Sequence, residues 1–168
     1  MSFTTNETTR AYLEAAPLPA HSESYTVVSH AEIIQQTISM LNAAGFYITQ
    51  ELYRTNLNAQ VAQGIYHIVP RHTTDDLVRF ETELGMMFAW TNSYDKSTRF
   101  QCGIGGYVMV CSNGMIAGDM MSFARKHSGS ANYDIKMQIS NQIKNGEKYY
   151  KKIIQDRNNL KQVILTDQ

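Results

Sequence analysis

Apolar residues recur at helical spacing from Ile33 to Ala44, at spacing two in the strands that begin at Phe46, and at helical spacing again from Asp134, a double change of period that restricts the chain to a mixed fold. Ser29-His-Ala-Glu32 has the form of a capping box, in which the Ser29 hydroxyl and the Glu32 carboxylate satisfy free amides at a helix start. Ile34, Ile38 and Leu41, flanked by Ile33 and Ala44, form a helical stripe that Gly45 ends. Phe46, Ile48 and Leu52 then alternate with Tyr47, Thr49, Glu51 and Tyr53, as a half-buried strand requires. Residues 62–69 give a second strand across a polar loop containing Asn56 and Asn58. Residues 70–82 read as a connection, and residues 84–91 as a third strand whose Leu84, Met86, Phe88 and Trp90 face is expected in the core. Residues 100–111 form a fourth strand. Its apolar parity shifts from Phe100, Cys102 and Ile104 to Tyr107, Met109 and Cys111, so a bulge is expected at 103–106.

Residues 112–126 read as a short helical or irregular stretch. From Asp134 onward Ile135, Ile139, Ile143, Tyr150, Ile153 and Leu160 mark a long helix, with Gly146 expected to kink or divide it. The expected fold is therefore α+β: an antiparallel meander sheet of four to five strands with N-terminal, middle and long C-terminal helices packed against it. Residues 1–24, with Pro17-Leu-Pro19, read as a flexible arm holding at most one helical turn near 9–15, and residues 25–168 as one domain.

The 168 residues are 43% hydrophobic and 18% charged, which excludes a disordered tail, a collagen and a coiled-coil rod. No window approaches the ~18 apolar residues of a membrane span, and the N-terminal sequence lacks a signal-peptide layout, so a cytoplasmic protein without membrane contact is expected. Cys102 and Cys111 read as reduced packing residues. His67 and His72 with Asp75 and Asp76 are the one conceivable metal cluster, but they lack a third histidine or a shared helix face. No metal and no cofactor are expected. Charge sums to zero but divides unevenly: residues 1–95 hold ten acids and four bases, residues 96–168 five acids and eleven bases.

No nucleophile, phosphate-loop or metalloprotease motif is present, and Gly103-Ile-Gly-Gly106 sits among β-prone residues rather than opening a helix. The turn Asn92-Ser-Tyr-Asp-Lys-Ser97 is richer. Asn92, Ser93, Asp95 and Ser97 suit a hairpin bend, while Tyr94, Lys96 and Arg99 add an aromatic face and two cations suited to a phosphate or a base. Arg125-Lys-His127 supplies a second cationic cluster, which a helix C-terminus would equally favour.

These segments, with Gly106-Tyr-Val-Met-Val-Cys-Ser-Asn113, Gly118, Arg125-Lys-His-Ser-Gly129 and Tyr25-Thr-Val-Val-Ser-His-Ala-Glu32, form a spaced series that resembles the phage/plasmid-like protein family, a domain of unknown function (number 932). The resemblance implies a setting in phages, plasmids and mobile elements, with work on replication, recombination or host defence inside a bacterial cell. It supplies no reaction and no catalytic residues.

Two functions follow as expectations. The first is non-enzymatic nucleic-acid binding, on single strands, in which Lys96, Arg99, Arg125 and Lys126 neutralise phosphates and Tyr94 or Tyr107 stacks on bases. The second is a module that binds a host or phage protein, or assembles as a homo-oligomer, without touching nucleic acid. An enzyme is a third reading, with Asp95, Lys96 and His127 its only polar trio.

Overall fold

The computed structural model describes residues 6–20, 22–71, 86–106 and 121–162. Six strands form one sheet in chain order: β1 (Asn6–Thr8), β2 (Phe46–Thr55), β3 (Val61–Pro70), β4 (Met86–Ser93), β5 (Phe100–Gly106) and β6 (Met121–Arg125). Every neighbouring pair is antiparallel, so the sheet is a meander. The helices are α1 (Arg10–Glu14), α2 (His30–Ala43) and α3 (Ala131–Gln162). α3 packs on β5 and β6, α2 on β2 and α3, and α1 on α2. The fold is α+β, as the change of period requires.

Burial explains this arrangement. Phe46, Tyr66, Ile68, Met86, Phe88, Trp90, Phe100, Cys102 and Ile104 form the sheet's contribution to the core, and Ile33, Ile34, Leu41, Ile135, Ile139 and Ile143 the helices'. Each large side chain contributes about 1.5–3 kcal/mol of transfer free energy. On α3 the buried stripe 131, 135, 139, 143, 146 and 150 lies opposite exposed Lys144, Lys148 and Lys152, so one helix carries both the core period and the basic face.

Several expectations are corrected. The segment 6–15 is docked rather than loose: Asn6–Thr8 pairs with β2, the Thr9 side chain caps α1, and Leu13 is buried in the core. Residues 121–125 are a strand, because Met121 to Arg125 pair with Ile104 to Phe100; residues 112–120 lie outside the described residues, and with them any middle helix. β5 stays in register with β4 up to Gly106 without a bulge, and residues 107–111 lie outside the described residues. The register shift falls instead between Ile48 and Gln50 of β2. It exchanges the two faces of that strand, so Tyr53 is buried and Leu52 is not.

Gly146 does not divide α3, which is continuous over 32 residues. A Cβ there would collide with Ile104 Cδ1, so glycine lets the helix backbone sit close against the sheet. Gly64 serves the same purpose for Trp90, whose indole would lie 2.5 Å from an added Cβ.

The meander also decides where loops meet. Alternating strand direction brings the β2–β3 turn, the β4–β5 loop and the end of β6 to one end of the sheet. The N-terminus of α2 joins them there through the side chains described next.

Candidate functional site

Asn92 is fully buried and makes three hydrogen bonds at this end of the sheet. Its Nδ2 donates to Val28 O at 2.8 Å and to His30 Nδ1 at 2.9 Å, while its Oδ1 accepts from His127 Nε2 at 2.6 Å. His30 Nε2 lies 3.0 Å from Ala59 O, which can only accept. Each proton in the chain His127, Asn92, His30, Ala59 is thereby assigned: His30 carries its proton on Nε2, and so does neutral His127. Burial pushes the His30 imidazole down to about 4 and lowers that of His127, so both are neutral at pH 7.

Tyr94 closes the same cluster from the β4–β5 loop. Its ring stacks on His30 with centroids 3.8 Å apart, its hydroxyl accepts from the His30 amide at 2.8 Å, and its own amide donates to Gln60 O. That hydroxyl satisfies one of the free amides of the first turn of α2. Ser29 Oγ accepts from the Glu32 amide as expected, but the Glu32 carboxylate lies 3.8 Å from Lys136 Nζ. Tyr25 crosses over the top: its hydroxyl donates to Ser93 O, and the next residue's amide donates to His127 O. Burial pushes the Tyr25 phenol up to about 12, with Tyr94 and Asp95 adding to the shift.

The loop itself is self-bonded. Ser93 Oγ donates to Thr98 O, and the Asp95 carboxylate accepts from the Ser97 amide. Lys96 occupies the left-handed region at φ 65°, a conformation costing about 1–2 kcal/mol for a residue with a Cβ. Its ammonium stands 5.3 Å from the centre of the Tyr25 ring, within cation–π range.

Between this loop and the end of β6 lies a cavity of about 350 Å³ lined by Ser24, Tyr25, Lys96, Ser97, Thr98, Arg99, Lys126, His127 and Ser128. Three cations and no carboxylate line it. Among the described residues none of the three cations pairs with an acid. Lys96, Arg99 and Lys126 are exposed, so their charges stay hydrated.

The expected site residues therefore divide. Lys96, Arg99 and Lys126 converge on the cavity. Arg125 does not, because its guanidinium is held by Asp134 Oδ2 at 3.0 Å and reaches Ser128 O. Tyr94 is buried beneath the loop with its ring on His30, so it presents no face for stacking on a base. Tyr107 lies outside the described residues, as do His72, Asp75, Asp76 and Cys111. Among the described residues no group of three metal-ligating side chains occurs. Asn92 and Ser93 are more than turn residues, since both are buried.

Motif spacing does not single out His30, and it points to His127 only within the Arg125–His127 cluster and the trio with Asp95 and Lys96, not as a partner of Asn92. A signal for His30 was present: extending the α2 stripe back by one turn from Ile33, Ile34 and Thr37 places it on the core face.

An α+β meander with a cationic pocket at one end, stabilised by a buried His–Asn–His bridge, is the class that fold and site define. The chain matches the family model described as Domain of unknown function (DUF932) over residues 17–168, and it belongs to that family. No curated protein and no solved structure matches it. Among the described residues no helix is long and apolar enough to cross a membrane.

Proposed function

We propose that this protein binds nucleic acid in single-stranded form, without catalysing a reaction, as a component of a phage, plasmid or other mobile element working in replication or recombination in the bacterial host cytoplasm. The convergence of Lys96, Arg99 and Lys126 on one cavity free of carboxylates carries the reading. Two of these cations come from the β4–β5 loop and the third from the end of β6. A concave cavity of about 350 Å³ suits one backbone with its phosphates rather than a duplex. The mobile-element setting is supported by the resemblance of the motif series to the phage/plasmid-like protein family.

The geometry supports phosphate contacts more than base stacking. Tyr94 is occupied by His30 and Tyr25 is covered by Lys96, so binding should be nearly independent of sequence and steeply dependent on salt. Fluorescence anisotropy with labelled oligonucleotides at low salt tests this. Lys96→Gln, Arg99→Gln and Lys126→Gln combined should weaken binding by at least about tenfold, whereas Arg125, already paired with Asp134, should matter less. No binding by the wild-type chain at tens of micromolar would end the proposal, and a protein captured from nuclease-treated lysate would then favour an interaction module.

A further inference from the structure

His127 is the one lining residue of the cavity whose hydrogen-bonding role toward a ligand is set from behind. Its Nε2 proton is committed to Asn92 Oδ1, because Asn92 Nδ2 is itself committed to Val28 O and His30 Nδ1. The remaining ring nitrogen, Nδ1, has no partner among the described residues. In the neutral ring Nδ1 is an acceptor, which is the wrong polarity for an anion held by three cations. One proton on Nδ1 turns it into a charged donor.

The groups that face His127 make this conversion depend on the ligand. Tyr25 lies against its ring, with centroids 5.3 Å apart, and Lys96, Arg99 and Lys126 share the cavity. His30 stands behind Asn92. Asp134 is engaged with Arg125, and the Asp95 carboxylate is turned onto the Ser97 amide. Without an anion, burial favours the neutral ring. A phosphate among those cations places a negative charge and an acceptor in the cavity that His127 lines, and both favour the protonated ring.

We propose that His127 is a ligand-binding residue that contacts the phosphate as an imidazolium, so that filling the cavity takes up a proton. The inference rests on the nucleic-acid reading of the same cavity and adds to it a proton-linked contact. Affinity then rises as pH falls, by at most about tenfold per pH unit.

The probe is oligo(dT) of about twenty nucleotides, which spans a single-strand site and whose phosphodiesters and bases do not titrate near neutrality. The wild-type chain should bind it about fivefold or more tightly at about pH 6 than at about pH 8. Calorimetric titration in buffers of different ionisation enthalpy should show uptake of about half a proton or more per site near pH 6.5. His127→Gln keeps an amide donor for Asn92 but cannot titrate, and its affinity ratio between the two pH values should fall below about twofold. Proton uptake of zero by the wild-type chain, or an undiminished pH ratio in His127→Gln, would overturn the inference while leaving nucleic-acid binding intact. No binding at either pH would overturn both.

Discussion

Replacing Asn92 with alanine removes one buried amide and leaves three polar groups without a partner: Val28 O, His30 Nδ1 and the His127 Nε2 proton. Asn92 and His30 are fully buried and His127 is 6% exposed, so water cannot readily replace the lost bonds. An unsatisfied buried donor or acceptor costs about 1–3 kcal/mol. Three on one side chain are coupled, so the expected loss is about 4 kcal/mol rather than the full sum. That is a large part of the ~5–15 kcal/mol by which domains are stable. Urea unfolding followed by tryptophan fluorescence reads it well, because Trp90 lies two residues before Asn92 and its ring stacks at 6.4 Å on His30. The midpoint should fall with little change in slope. Combining Asn92→Ala with His30→Phe should cost less than the two separate losses together, since both break one bond. A loss below about 1 kcal/mol would refute the bridge.

The other expectations concern packing, pH and reactivity. Gly64→Ala places a methyl 2.5 Å from the Trp90 indole, whose Nε1 also donates to the Tyr66 hydroxyl, so about 3 kcal/mol should be lost in the same unfolding assay. His30 binds its proton near pH 4 when folded and near 6.5 when unfolded, so the unfolded chain protonates first as pH falls. Stability is then full above about pH 6.5 and declines toward pH 4 by about 3 kcal/mol, and His30→Phe should flatten that decline. Burial pushes the Cys102 thiol up to about 12, so site-resolved mass spectrometry should find it unalkylated at pH 8 in the folded chain and modified after unfolding.

Period and caps carried most of the fold. Ile33, Ile34 and Leu41 of α2, the Met86, Phe88 and Trp90 face of β4, and Ile135, Ile139 and Ile143 of α3 each follow from local chemistry and are buried as their spacing requires, although the other face of β4 is buried too and Leu84 lies outside the described residues. Nonlocal geometry was hidden. The shift at Ile48 and Gln50 lies in a run that alternates well on paper, and only pairing with β3 reveals which face Tyr53 takes. Gly146 reads as a helix weakener until Ile104 is seen beneath it. At the site, charge and turn composition point to Lys96, Arg99 and Lys126, which the structure places around one cavity. The pairing of Arg125 with Asp134 is hidden by the Ser-Gly-Ser break between them, and a loop aromatic such as Tyr94 gives no local sign of turning inward. Asn92 is the sharpest case. A residue that suits a turn by composition is also the bridge between two histidines distant from it in the chain.

The salt dependence of oligonucleotide binding tests the pocket most directly. For single strands, log K falls with log salt by about 0.7 for each phosphate neutralised. Three cations acting together predict a slope of about −2 from the pocket, removed when Lys96, Arg99 and Lys126 are all changed to glutamine while fold and stability persist. A slope left unchanged by the triple substitution would show that the anion binds elsewhere.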